Sequence, residues 1–80
     1  MVALRLFAAA RTTAGTARDD VPGETVGQVL DAAVARYGEE FAAVLATCAV
    51  WCNGEPAERS VAVGADDEVG VLPPVSGGHT

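Results

Sequence analysis

The feature that most constrains this sequence is one strongly marked helix set among short, strand-like apolar runs. Pro22-Gly23 signals a turn. Thr25 and Gln28 then stand at capping-box spacing, in which each side chain satisfies a backbone N–H at the helix start. Val26, Val29, Leu30, Ala33, Val34 and Tyr37 recur at helical spacing and form one apolar stripe. Gly38 is placed to close the helix in the left-handed conformation. A helix with a single apolar stripe needs a single sheet face to cover, so the chain must supply strands.

Those strands are readable by two-residue alternation. Val2 to Phe7 puts Val2, Leu4 and Leu6 on one face and Ala3, Arg5 and Phe7 on the other. Ala8 to Ala14 predicts about a turn of helix, ended by Gly15. Thr16 to Val21 is a weaker strand, and Glu39 to Ala46 a second helical piece with Phe41, Val44 and Leu45 inward. Cys48 to Asn53 reads as a strand with Cys48, Val50 and Cys52 on one face and Ala49, Trp51 and Asn53 on the other. Asn53-Gly54 is a hairpin-tip dipeptide. Ser60 to Val63 predicts a short strand and Glu68 to Leu72 the last one. The expected fold is an α+β two-layer domain, with the first and last strands central.

At 80 residues the chain is one small domain with little room for a deep substrate pocket, which favours a carrier or binding role over a self-contained enzyme. The formal charge of −6 argues against nucleic acid and makes a basic protein partner the more plausible one. No signal peptide or bilayer-length apolar run is visible, so no membrane role and a cytoplasmic setting are expected. Cys48 and Cys52 are too far apart along one strand for an unstrained disulfide and too few for structural zinc; buried free thiols and no metal are expected.

The informative segment is the end: Asp67-Glu68-Val69-Gly70-Val71-Leu72-Pro73-Pro74-Val75-Ser76-Gly77-Gly78. Two prolines end sheet pairing and hold the chain extended. Small residues follow, then two glycines whose backbone admits close approach by a nucleotide or another chain. This predicts a domain over residues 1–74 and a tail over 75–80 suited to threading into a narrow active site. A carboxylate at Gly78 would be unhindered. A partner using ATP would adenylate it, and sulfur transfer would leave a thiocarboxylate.

This end closely resembles that of the small subunit of molybdopterin synthase and, more broadly, the MoaD/ThiS sulfur carriers. The resemblance extends to Leu4-Arg5-Leu6-Phe7-Ala8, Ala10-Arg11, Ala14-Gly15, Thr25-Val26 and Val50 to Gly54. It implies a β-grasp, ubiquitin-like fold, with a mixed sheet of four to five strands on one main helix. It also implies that Gly78 is adenylated by an E1-like adenylyltransferase and made a thiocarboxylate, with no cofactor bound and ATP used by the partner. The sulfur acceptor implied is precursor Z inside the molybdopterin synthase large subunit; another thiolated metabolite or amino-acid pathway would use a similar carrier. One departure stands out: His79-Thr80 follow Gly78, so its carboxyl lies in a peptide bond; either a processing peptidase removes the two residues or the carrier is not competent in this form.

Partner contact is expected at Phe7, Trp51 and Leu72, with Pro73, Pro74, Val75 and Ser76 leading to Gly77 and Gly78. Two readings of Trp51 stand side by side: an apolar docking patch with Phe7 and Leu72, or a ring covered by the chain's own loops. Arg11 is either a contact for an acidic partner or simply solvated. His79 lacks neighbours for metal or base chemistry, and the Glu39-Glu40 and Asp66-Asp67-Glu68 runs read as solvated turns, with an acidic patch for a basic E1-like partner as the alternative. The alternative function is a ubiquitin-like interaction module whose tail is never activated.

Overall fold

The computed structural model describes residues 1–74. Five strands and three helices run in the order β1 (Val2–Leu6), α1 (Ala8–Ala14), β2 (Arg18–Val21), α2 (Val26–Tyr37), α3 (Glu39–Leu45), β3 (Ala49–Cys52), β4 (Glu55–Pro56) and β5 (Glu68–Leu72). They form one mixed sheet of order β2-β1-β5-β3-β4, in which β1 and β5 are parallel and the other pairs antiparallel. β5 is central with β1 beside it, as their apolar content requires, and the arrangement is the β-grasp expected from the sequence.

One face of this sheet is covered and the other is open. Val2, Leu4 and Leu6 of β1 and Val69 and Val71 of β5 are fully buried. They meet Val26, Val29, Leu30 and Ala33 of α2, with Phe41 of α3 and Ala10 of α1 closing the core. Val50 and Cys52 pair with Val71 and Val69 and complete the covered face from β3. Tyr37 touches Phe41 edge-on, with ring centroids 5.2 Å apart.

Four sequence expectations change. Ser60 to Val63 is not a strand; only Ala62 makes an isolated bridge, to Thr25. The reason is the helix start, whose first amides have no partner within the helix. The Val26 amide donates to the Val61 carbonyl and the Gly27 amide to the Arg59 carbonyl, both at 2.9 Å. The carbonyls that would join a ladder cap α2 instead, and the missing strand is Glu55–Pro56, formed by the Asn53-Gly54 hairpin. That tip has φ of 53° at Asn53 and 84° at Gly54, the doubly left-handed turn that matches strand twist.

Gly38 has φ 101° and ψ −170°, outside the left-handed helical well, because it closes α2 and opens α3 at once. Its amide donates to the Val34 carbonyl and its carbonyl accepts from Ala42. Cys48 precedes β3 in a turn, and both thiols are half-buried rather than buried. Burial, with Asp67 nearby, pushes the Cys52 thiol up, away from reactivity at neutral pH. The capping box is shifted by one residue. The Gln28 amide donates to Thr25 Oγ1 at 3.1 Å, but Gln28 Oε1 accepts from the Glu24 amide rather than from Thr25.

Candidate functional site: the open sheet face and the tail exit

Register places the open-face side chains in three rows. The central row runs Arg18, Arg5, Gly70, Trp51, each opposite the next across β2, β1, β5 and β3. The row farther from the tail holds Asp20, Ala3 and Glu68. The row nearest the tail holds Leu72 and Ala49, with Phe7 beside Leu72 by continuation of the same register. β5 then passes into Pro73 and Pro74, both exposed. The sheet face therefore grades from acidic, through guanidinium and indole, to apolar at the point where the tail leaves.

Gly70 is the centre of this face. A Cβ built there would meet only Leu72 Cδ1, at 4.0 Å, so packing within the chain does not require glycine. Its missing side chain instead floors a recess of about 230 Å³ lined by Arg5, Phe7, Trp51, Glu68, Gly70 and Leu72. Trp51 forms one wall, and Arg5 the other. The Arg5 guanidinium sits over the Phe7 ring, 5.4 Å from its centroid. Phe7 is 36% exposed, an unusual position for such a ring, and Trp51 and Leu72 are half-buried. The structure thus brings Phe7, Trp51 and Leu72 together, with Trp51 half-buried and bordering an open recess. Val75, Ser76, Gly77 and Gly78 lie outside the described residues.

Two polar clasps hold the face in register. Asp19 lies on the covered side of β2, where it accepts from Arg36 at 2.7 Å and from the Tyr37 hydroxyl. The Tyr37 hydroxyl, then Arg36, holds the Asp19 carboxyl below its usual range, while burial and the Asp19 contact push the Tyr37 phenol up to about 12. At the other end, Asn53 donates to Asp67 at 2.8 Å and accepts from the Glu68 amide at 2.9 Å. Asp67 also accepts from the Gly64 amide, and the Asn53 bond, then that amide, lowers its pKa. Within the Asp66-Asp67-Glu68 run, expected as a solvated turn, Asp67 instead ties the β3–β4 hairpin to the start of β5. An Asn directly before a hairpin Gly, with an Asp before the last strand, was the available signal.

Residues 4–78 match the ThiS family, a span that takes in the sheet, the helices and Gly77-Gly78. The chain belongs to the ThiS family. Its members are small ubiquitin-like sulfur carriers rather than catalysts in their own right. Solved structures agree. The chain is similar to small archaeal modifier protein 1 from Haloferax volcanii, with 35% identity, TM-score 0.72, and 96% of this chain and 98% of that one covered. It is similar to the protein of that name from Methanosarcina acetivorans, with 28% identity, TM-score 0.85 and coverage of 96% and 95%. It is also similar to a molybdopterin converting factor subunit 1 from Pyrococcus furiosus, with 26% identity, TM-score 0.80 and coverage of 92% and 97%. No curated protein matches with significant similarity. Among the described residues no helix is long and apolar enough to cross a membrane.

Proposed function

We propose that this ThiS-family protein carries sulfur as a thiocarboxylate on Gly78 and delivers it for molybdopterin synthesis. The supporting observation is the continuity of one surface: an apolar row at Phe7 and Leu72 runs directly into the Pro73-Pro74 spacer before Gly77-Gly78. In the proposed cycle, an E1-like adenylyltransferase docks on the open face and takes the tail into its active site. The Gly78 carboxylate attacks the α-phosphorus of ATP, forming an acyl-adenylate and releasing pyrophosphate. Sulfide then displaces AMP, leaving the thiocarboxylate; a persulfide donor would displace AMP to give an acyl disulfide, whose S–S bond a second thiol cleaves, becoming a disulfide as the thiocarboxylate is released.

Glycine matters here because a tail without side chains passes where a side chain would clash. The domain supplies recognition, and the partners supply catalysis. Since Gly78 is followed by His79-Thr80, the cycle begins with a peptidase that exposes Gly78. The molybdopterin branch, with the molybdopterin synthase large subunit as acceptor, is proposed on the likeness to the Pyrococcus furiosus protein, although small archaeal modifier protein 1 is more similar in sequence.

Reconstitution tests the branch. A thiocarboxylated chain ending at Gly78, mixed with the large subunit and precursor Z, is expected to yield molybdopterin. Sulfur that stays on the carrier there, but moves to another acceptor enzyme from the same genome, would reassign the pathway and keep the carrier role. A Gly78-ended chain that binds partners without ever being adenylated would instead establish the interaction module.

A further inference from the structure

The chain is acidic overall, with Asp+Glu 11 against Lys+Arg 5, yet its cations are unevenly placed. Arg36 and Arg59 are held by Asp19 and Asp31, each at 2.7 Å. These are the ion pairs among the described residues, and neither includes Arg5 or Arg18. Those two face each other across β1 and β2 in the central row. Like charges directly opposite one another oppose folding, so the pair does not serve the domain's own stability. Arg5 also leans over Phe7, toward the tail exit and away from the Asp20–Glu68 row. Its Nε is covered and has no acceptor among the described residues.

Strand addition at the sheet edges is closed. The Leu6 amide bonds to the Ala17 carbonyl, and the alternation that follows turns the backbone groups of Arg18 and Asp20 outward. All four are already bonded within the chain. The Thr16 hydroxyl accepts from the Arg18 N–H and donates to the Arg18 carbonyl. The Asp20 N–H donates to Asp19 Oδ1, and the Asp20 carbonyl accepts from Arg36. At the opposite edge, the Cys52–Glu55 pair and the Ala57-to-Val50 bond turn Pro56 outward, and proline has no N–H to offer. Contact by a partner is therefore left to side chains on the open face.

Taking the open face as the docking face, as proposed above, we infer that the partner presents a carboxylate to Arg5 and Arg18 beside an apolar side chain seated in the Trp51 recess. The local sign is opposite to what the net charge of −6 suggests. Screening over ~8–10 Å lets both hold, because net charge acts at approach and the contacting groups act at the surface.

The test is steady-state thiocarboxylation of the Gly78-ended chain by the E1-like adenylating enzyme of the same genome, supplied with ATP and sulfide. Arg5→Glu and Arg18→Glu are each expected to raise the KM for the carrier on the order of tenfold, with the effect on KM rather than kcat. Arg5→Lys is expected to retain most of the affinity, and Arg5→Leu, which keeps an apolar stem, to lose it. Thermal melting checks that each variant is folded. An unchanged or lowered KM in both Glu variants, with a raised KM in Trp51→Ala, would overturn the acidic complement and leave the docking face standing. An unchanged KM in Trp51→Ala as well would overturn the docking face itself.

Discussion

The two faces of the sheet are made by the same strands, yet they do different work. On β1, Val2, Leu4 and Leu6 are buried against α2, while Ala3 and Arg5 alternate with them onto the open side. On β5, Val69 and Val71 are buried, while Gly70 leaves a gap beside Trp51 and Leu72 borders it. The covered face is filled with apolar side chains and carries stability. The open face holds an exposed aromatic ring, two arginines that make no ion pair among the described residues, and a glycine that packing does not require. Stability and the proposed recognition surface are thus kept on opposite faces of one sheet.

The sharpest way to break that contrast is to cut the covered face. Leu4→Ala removes a fully buried side chain and is expected to cost about 2–5 kcal/mol in denaturant unfolding. On the open face, Trp51→Ala is expected to raise the KM of the adenylating enzyme for the carrier by tenfold or more, as loss of an aromatic anchor does, with a smaller loss of stability than Leu4→Ala. Unfolding of Trp51→Ala would place that ring in the core and end the contrast.

Gly70→Val sharpens the comparison from the other side. The added side chain has room, and a β-branched residue suits a strand better than glycine, so melting is expected to hold or rise by up to about 1 kcal/mol. The recess it fills is the one a partner side chain needs, so KM is expected to rise. Thr25→Ala, by contrast, removes the bond to the Gln28 amide on the covered layer and is expected to cost about 1 kcal/mol with no effect on docking.

The smallest effect is that of pH. Asp19 and Asp67 have pKa values lowered in the fold, so their contribution to stability is present above the unfolded carboxylate range near ~4 and is lost as pH falls through the lower folded values. Tyr37 acts at the other extreme. Its folded pKa is raised, so its contribution holds below the unfolded value near ~10 and is lost as pH rises through about 12. Melting in acid should therefore fall less steeply in Asp19→Asn than in the parent chain.

The covered face was legible in the sequence because burial imposes a period. The stripe from Val26 to Tyr37 and the alternation in β1 and β5 could be assigned residue by residue. The segment from Ser60 to Val63 was not legible as a loop, because its apolar residues look strand-like and the Val61 carbonyl is drawn to the start of α2. Of the site, the Phe7–Trp51–Leu72 grouping followed from strand parity. The opposition of Arg5 and Arg18 and the gap at Gly70 did not, since both depend on which strands are neighbours and in what register. Strand parity alone does not supply that.

The central claim is that the open face delivers a tail ending at Gly78 to an adenylating partner. Intact-mass measurement after incubation with the E1-like enzyme, ATP and a sulfur donor tests it most directly, comparing the chain ended at Gly78 with the chain that retains His79-Thr80. An oxygen-for-sulfur exchange at the C-terminus is expected of the first and no change of the second. A mass that stays constant in the Gly78-ended chain, while it binds the same enzyme, would contradict it.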